Sequence, residues 1–142
     1  MRLVIALPRQ LDRDLVHAVG VTANEYTAIM NLSEAPDREL RMADLASATG
    51  LSASRITRLV DDLVARGFVT KRASAVDGRG TIAKLTPKGT AKLKAAWPAH
   101  LDSVRRLVLD HLDPAGVEAA GAALDVVAAR FQSRNPTSGD PS

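Results

Sequence analysis

Five small or basic side chains share one short stretch of the sequence: Ser52, Ser54, Arg55, Thr57 and Arg58. Serine and threonine hydroxyls can bond to phosphates or bases while the backbone comes close to DNA. An arginine guanidinium can bond at two points with O6 and N7 of guanine, which discriminates between bases by about 1–3 kcal/mol per contact. These hydroxyl and guanidinium groups could therefore form hydrogen bonds with a nucleic acid. For Arg58 the alternative is an ordinary helix-surface ion pair with Asp61 or Asp62.

More basic residues follow, namely Lys71, Arg72, Arg79 and Lys84. Arg79 is placed to enter a DNA minor groove, where negative potential attracts guanidinium groups. The alternative for Arg79 is a solvated turn residue or an internal partner for Asp77. We interpret Lys71, Arg72 and Lys84 as residues that neutralise phosphates and add salt-dependent affinity without sequence preference.

Charge is concentrated around these residues. Between Leu51 and Lys94 there are ten basic and three acidic residues, a net charge of +7, whereas the rest of the chain carries nine basic and thirteen acidic residues, a net charge of −4. The overall charge of +3 therefore hides a basic middle between mildly acidic ends. A localised basic region is typical of a phosphate-binding surface.

The five residues are predicted to lie on the second helix of a helix-turn-helix. Ser52 is typical of a helix N-cap, and Gly67 should end the helix. Apolar residues recur at helical spacing behind the polar set and turn it outward: Ile56, Leu59, Val60, Leu63 and Val64. A short helix closed by Gly50 precedes it, marked by Met42, Leu45 and Ala46.

A β-hairpin follows the second helix. Its predicted strands are Phe68 to Arg72 and Thr81 to Leu85, on either side of Asp77-Gly78, a dipeptide that tolerates the positive φ of a tight turn. A basic hairpin placed after such a helix indicates the wing of a winged helix-turn-helix, which carries one helix into the DNA major groove.

Four flanking helices complete the prediction. The first covers Pro8 to Val19 and stops at Gly20. The second runs from Ala23 to about Glu34, headed by a capping box of Thr22 and Glu25 with Val21 and Tyr26 at the staple positions. Thr86-Pro87 begins a long helix with a kink expected at Pro98 and one apolar stripe: Leu93, Trp97, Leu101, Val104, Val108 and Leu112. Asp113-Pro114 begins the last helix, which should bury Val117, Ala120, Leu124, Val127, Ala128 and Phe131.

Composition narrows the possible functions. The chain has 142 residues, of which 46% are hydrophobic, and this suffices for a globular core. It contains no cysteine, which excludes disulfide scaffolds, zinc fingers and thiol switches. No apolar run reaches the roughly 18 to 20 residues of a membrane span, and Pro8 interrupts any leader-like opening. We expect a cytoplasmic protein without a membrane partner.

No catalytic or metal-binding set is evident. None of the three histidines shares the i, i+3 or i+4 spacing that would aim two rings at one ion. Asp61 and Asp62 are adjacent on a helix, so their side chains diverge by about 100°. We therefore expect no enzyme activity, no metal and no cofactor, and an enzyme on a helical scaffold is the least favoured hypothesis for this chain.

The motifs resemble those of the MarR family, the multiple-antibiotic-resistance regulators. The resemblance is carried by SxSRITRLVDxLVxRGFVxR from Ser52 to Arg72, by DGRG from Asp77 to Gly80 and by LTPKG from Leu85 to Gly89, and it extends from Thr22 to about Phe131. It implies a mainly α fold with a small β-hairpin wing (α+β), and a homodimer joined by the first and last helices. It also implies a DNA affinity altered by a small acidic or aromatic ligand.

The resemblance implies a division of the chain. Residues 1–21 would be part of the dimerisation region, 22–89 the winged helix-turn-helix, 90–133 the C-terminal dimerisation helices and 134–142 a disordered tail. His17, Tyr26, Trp97 and His100 lie on the helices that bound the effector cleft of the family. The alternative for these four is packing of the two large aromatic rings and exposure of the histidines.

The prediction is a sequence-specific DNA-binding regulator, a repressor acting as a homodimer on a pseudo-palindromic operator. The main alternative is a winged-helix protein-interaction scaffold without DNA binding. Scaffolds of that kind generally lose the basic wing and the small, basic helix face, and this chain has both. Three departures from the family pattern stand out. The segment before Val21 is short, which implies either a leaner dimer contact or a start placed too late in the sequence, and Gly116 stands where an acid would favour the start of the last helix. Cysteine is absent, so the chain resembles the ligand-responsive or constitutive members of the family and not the thiol-oxidation sensors.

Overall fold

A computed structural model describes residues 2–76 and 78–132. They form two compact units, one up to Ser103 and the other from Val104 onward. The six α-helices are α1 (Leu3–Val19), α2 (Ala23–Glu34), α3 (Met42–Thr49), α4 (Ala53–Ala65), α5 (Pro87–Leu107) and α6 (Pro114–Gln132). The three strands are β1 (Glu39–Arg41), β2 (Val69–Ala73) and β3 (Thr81–Leu85), and single 3₁₀ turns cover Pro36–Arg38 and Leu109–His111. None of the described helices is both long and apolar enough to cross a bilayer.

The start of α2 follows from its capping box. The Thr22 hydroxyl accepts a hydrogen bond from the Glu25 backbone N–H at 3.2 Å, and the Glu25 carboxylate accepts one from the Thr22 N–H at 2.7 Å. These two bonds satisfy N–H groups that have no partner within the helix. Val21 and Tyr26 are both buried in one apolar cluster, as the staple predicts. Gly20 and Gly50 end α1 and α3 in the left-handed conformation at φ 70° and 69°.

The first helix begins earlier than predicted. It starts at Leu3 and runs through Pro8, which was predicted to be its first residue. A proline this close to the N-terminus is tolerated because the N–H groups of the first turn have no partner within the helix. The exposed Leu3 and Ile5 lie on the added turn.

The sheet contains a strand that was not predicted. Its order is β1-β3-β2, all antiparallel, so the predicted strand β3 is central. Three residues are too few to show an alternating pattern, and β1 directly follows the 3₁₀ turn Pro36–Arg38. Asp37 and Arg38, at φ 54° and 57°, turn the chain into β1. The hairpin strand β2 begins at Val69, one residue later than predicted, because Phe68 is packed into the core before the strand starts.

Helix α4 is held to the core by the predicted face. Ile56, Val60 and Leu63 are fully buried. They belong to one apolar cluster that α2, α3 and the sheet complete: Ala28, Ile29, Leu32, Leu45, Phe68, Val69, Ala83 and Leu85. The opposite face of α4 is exposed to solvent, as the amphipathic spacing predicts.

The C-terminal end of α4 is fixed by Arg66. Its guanidinium donates to the Gly20 carbonyl at 2.6 Å and to the Glu25 carboxylate at 3.0 Å. It also lies 4.9 Å from the centre of the Phe68 ring, within cation–π distance. One side chain therefore joins the end of α4 to the corner between α1 and α2.

Two lysines of α5 complete this cluster. Lys88 donates to the Arg66 carbonyl at 2.8 Å, and Lys92 donates to the Val19 carbonyl at 3.0 Å. Both ammonium groups lie within about 5.5 Å of the centre of the Phe68 ring. Cations suit the carboxyl ends of α1 and α4, where helix dipoles leave partial negative charge. We call Arg66, Lys88 and Lys92 the Phe68 cation cluster.

The LTPKG motif fixes the start of α5. Thr86 donates its hydroxyl hydrogen to the Gly67 carbonyl at 2.7 Å and accepts from the Gly89 N–H at 3.0 Å. A Cβ at Gly89 would lie 2.2 Å from the Phe68 carbonyl oxygen, so a larger residue would push α5 away from β2. Within the first unit, glycine is required here for close approach and not for backbone flexibility.

The second unit corrects two predictions. Helix α5 ends at Leu107, so Val108 and Leu112 lie outside it, on either side of the 3₁₀ turn. Helix α6 begins as predicted, with the Asp113 carboxylate accepting from the Gly116 N–H at 2.7 Å. The residues of α6 expected to be buried are not buried within one chain, since Val117, Leu124 and Val127 are 38%, 68% and 52% exposed. The predictions for the Phe131 side chain and for the tail 134–142 lie outside what the structure describes.

Arg66→Ala should lower the free energy of unfolding by roughly 1–3 kcal/mol. It removes two hydrogen bonds and leaves Glu25, only 9% exposed, without its cation. The estimate lies below that for a fully buried pair because the Arg66 side chain is 36% exposed. Urea unfolding measures the change. Arg58→Ala, an exposed change on the same helix, is the control and should stay within about 0.5 kcal/mol of wild type; an equally small effect of Arg66→Ala would contradict the bridging role.

Candidate nucleic-acid interface

The polar face of α4 is exposed, as predicted for Ser52, Ser54, Arg55, Thr57 and Arg58. The hydroxyls are used locally. Ser52 caps the helix by accepting from the Arg55 N–H at 3.4 Å, and Thr57 donates to the Ala53 carbonyl at 2.8 Å. These hydroxyls retain lone pairs with which to accept further hydrogen bonds.

Arg55 and Arg58 differ from the other basic residues of the region. Over residues 2–76 and 78–132, neither guanidinium forms a hydrogen bond or an ion pair. The alternative that pairs Arg58 with Asp61 or Asp62 is therefore not observed, and Asp61 pairs with Lys71 instead. Both arginines line an open groove of about 440 Å³ beside α4, which also includes Asp12 and Asp62. Ten donor N–H groups are thus presented by two adjacent side chains.

A second cleft lies between α3, α4 and the wing. Its volume is about 320 Å³, and it brings together three residues selected from the sequence, Thr57, Lys71 and Arg79. Arg41 of β1 also lines it and was not predicted, because the strand that positions it was missed. Arg79 is exposed. Its suggested partner Asp77 lies outside the described residues.

The other wing cations are engaged in ion pairs. Lys71 contacts Asp61 of α4, while Arg72 and Lys84 both contact Glu39 of β1, at 2.6 and 3.5 Å. Strand alternation and register place Glu39, Arg72 and Lys84 on the outer face of the sheet, and Lys71 on the face toward α4. Lys71, Arg72 and Lys84, which were predicted to neutralise phosphates, therefore each have an acidic partner within the chain.

The candidate ligand residues are partly brought together. The rings of Tyr26 and His100 are 4.9 Å apart, and those of Trp97 and His100 are 6.4 Å apart. His17 is exposed on α1 and joins none of these ring contacts in the described structure. Tyr26 and Trp97 also line an open cavity of about 320 Å³. Its other lining residues are Met30, Ser33, Glu34, Leu93 and Lys94.

Two buried polar atoms in this cluster have no hydrogen-bond partner among the described residues: Tyr26 Oη and His100 Nδ1. Burial, and then the nearby Glu34 carboxylate, raise the pKa of the Tyr26 phenol. Burial lowers the pKa of His100 below its ordinary value of 6.5, so its neutral form is favoured at pH 7. Tyr26 therefore keeps its phenolic proton at pH 7, and this proton has no acceptor among the described residues. No group of three or more metal-binding side chains occurs in the searched residues.

Comparisons with known proteins match this geometry. A model of the MarR family matches residues 19–80. Sco3205, a MarR family transcriptional regulator from Streptomyces coelicolor solved in complex with DNA, is 30% identical and superposes with a TM-score of 0.84, over 99% of this chain and 87% of that one. The chain belongs to the MarR family. AbsC, a MarR family regulator from the same organism, is 32% identical with a TM-score of 0.81, over 93% of this chain and 88% of that one.

Curated MarR-like relatives are more distant. The transcriptional repressor YetL from Bacillus subtilis is 29% identical over 94 residues, 66% of this chain and 56% of that protein. The repressor MprA from Escherichia coli is 27% identical over 93 residues, 66% of this chain and 53% of that protein. The chain thus spans little more than half the length of these curated relatives. The mainly α fold with a small β wing is confirmed by the MarR structures.

Sequence reasoning missed three residues that shape the candidate interface. Glu39 and Arg41 lie on the unpredicted strand, so nothing linked them to the wing. Arg66 was not predicted as a site residue, although Gly67 and Phe68 directly after it place its side chain at the end of α4, beside an aromatic ring. The sequence did contain a signal for Arg66: it is a basic residue directly before Gly67, which ends the helix. A cation at the carboxyl end of a helix interacts favourably with the helix dipole.

Proposed function

We propose that this protein is a sequence-specific DNA-binding transcriptional repressor that acts as a homodimer on a pseudo-palindromic operator. One observation carries the proposal: within the described chain, Arg55 and Arg58 are the exposed arginines of α4, and neither has a partner. Keeping two unpaired guanidinium groups beside each other has no benefit for folding. It is what bidentate reading of guanine requires.

Helix α4 would lie in the major groove, with Ser52, Ser54 and Thr57 accepting or donating hydrogen bonds near the arginines. The wing turn with Arg79 would approach the adjacent minor groove. Lys71, Arg72 and Lys84 would contribute to phosphate contact only after leaving their acidic partners. Sco3205, on which this chain superposes, was solved in complex with DNA, and this supports a DNA-binding role for the present protein.

The homodimer is supported by apolar surface in both units. In the second unit, α6 exposes Leu124, Val126 and Val127 to an extent of 52% to 68%. In the first unit, Leu3 and Ile5 at the start of α1 are 68% and 55% exposed. Large apolar side chains at helical spacing usually face a protein surface. A second copy of the chain would cover them, and two copies of α4 would then address successive major grooves about 34 Å apart.

We further propose that a small aromatic carboxylate releases the protein from DNA by binding the cavity beside Tyr26 and Trp97. The ring would contact Trp97 and Leu93, the phenol of Tyr26 would donate a hydrogen bond, and Lys94 would pair with the carboxylate. Glu34 also lines the cavity and would repel a second acid, so the proposal is limited to a monocarboxylate. His17 is not part of this site.

Arg55→Ala should weaken binding to the operator by roughly 5- to 150-fold, the equivalent of one lost bidentate contact. Fluorescence anisotropy with DNA from upstream of the gene, compared with random DNA of equal length, measures the effect. Random DNA should lose far less affinity, because the change removes a base contact and only one charge. Arg9→Ala removes the same charge from exposed α1 and serves as the control.

Equal losses on both DNAs would remove Arg55 from base reading. No binding to any DNA at low salt would favour the protein-interaction scaffold instead. The two outcomes can be distinguished because the exposed Arg55 side chain forms no hydrogen bond or ion pair in the described structure. Arg55→Ala should therefore leave the unfolding free energy within about 0.5 kcal/mol of wild type.

For the ligand site, benzoate at millimolar concentration should raise the melting temperature and lower DNA affinity. A ligand that binds only the folded state at 100 times its Kd adds about 2.7 kcal/mol to the unfolding free energy. Lys94→Met should abolish the response and Lys94→Arg should restore most of it. An unchanged response in Lys94→Met would contradict the assigned carboxylate contact, and no response in the wild type would contradict the site.

A further inference from the structure

The carboxylate of Glu39 occupies the outer face of the wing sheet. It is the first residue of β1 and lies directly opposite Lys84 of β3 in the antiparallel register. Its side chain is only 22% exposed, whereas those of Arg72 and Lys84 are each 49% exposed. The acid is thus more sheltered from water than either of its two cations.

Glu39 engages both cations at once, one through each oxygen. Oε1 accepts from Arg72 at 2.6 Å, a short charge-assisted hydrogen bond, and Oε2 lies 3.5 Å from the Lys84 ammonium. Both carboxylate oxygens are therefore used. Two positive charges of the wing share one negative charge, so the three residues together carry +1, where the two cations alone would carry +2.

A carboxylate and a phosphate compete for the same donors. An arginine that bonds to Glu39 has to break that bond before its guanidinium can contact a DNA phosphate. Its phosphate contact therefore stabilises the DNA complex less than a contact from an unpaired arginine would. A cation that is already neutralised within the protein also adds less to the release of counterions from DNA.

We propose that Glu39 is an internal competitor of DNA phosphate that lowers the affinity of the wing for DNA of any sequence. The inference rests on the proposed DNA-binding function. It makes Glu39 an affinity-determining residue that need not contact DNA: phosphate contacts carry no sequence information, so restraining Arg72 and Lys84 lowers binding to operator and random DNA alike. The base contacts of Arg55 and Arg58 on α4 are unaffected.

The test is the salt dependence of binding by Glu39→Gln. Glutamine keeps the shape and one acceptor oxygen but releases both cations from the charge. The plot of log K against log salt should become steeper by about 0.9 for each phosphate gained, and therefore by as much as about 2. At physiological salt the affinity should rise roughly fivefold or more, on operator and random DNA alike.

Two controls separate local competition from a general change in charge. Asp102→Asn removes an equal charge from an exposed position of α5 and should leave the slope nearly unchanged. Arg72→Gln should change affinity less than twofold in the wild type, where the guanidinium is occupied, but should reverse most of the gain in Glu39→Gln. Arg72 is half exposed, so this variant folds independently of the outcome at Glu39.

The outcomes are distinct. Weaker binding by Glu39→Gln would mean that Glu39 orients the two cations for DNA, which overturns the proposal. An unchanged slope, or a large loss of affinity from Arg72→Gln alone, would show that Arg72 reaches phosphate in spite of Glu39. If the wild type binds no DNA at low salt, the proposed function is contradicted, and with it the role of Glu39 as a competitor.

Discussion

Attachment of the far end of α4 to the rest of the domain is the constraint on which the candidate interface depends. A helix can present side chains to a groove only if its axis is fixed, and α4 is amphipathic with one buried face and one face in water. Arg66 fixes its carboxyl end by bonding to the Gly20 carbonyl and the Glu25 carboxylate. Because Glu25 also caps α2, the orientation of α4 is linked to the corner where α1 meets α2.

The basic residues of the central region therefore do three different things. Those of the Phe68 cation cluster satisfy backbone carbonyls at helix ends and contact an aromatic ring. Those of the wing strands pair with Asp61 and Glu39. Arg55 and Arg58 pair with nothing in the part of the chain that is described. A net charge of +7 attracts DNA as a whole, and Arg55 and Arg58 can bond to it without first breaking a hydrogen bond or an ion pair to another described residue.

The sequence predicted those elements whose signals are local. The capping box of Thr22 and Glu25, the left-handed Gly50 and the Thr86-Pro87 start each depend on residues within a few positions of one another, and the structure confirms all three. Features set by distant partners were missed. Strand β1 exists because β3 lies beside it, and the pairing of Arg72 with Glu39 joins residues 33 positions apart. Val108 was placed on a helix because its spacing fits, yet the chain leaves helical geometry there.

Protection of guanine N7 from methylation is the most direct measurement of the central claim, that two copies of α4 read DNA through their free arginines. N7 lies in the major groove and is one of the two atoms that a bidentate arginine contacts. On DNA from upstream of the gene, the account predicts two clusters of protected guanines about 10 base pairs apart, centre to centre. Bound protein that leaves every guanine N7 reactive, or that protects a single cluster, would contradict it.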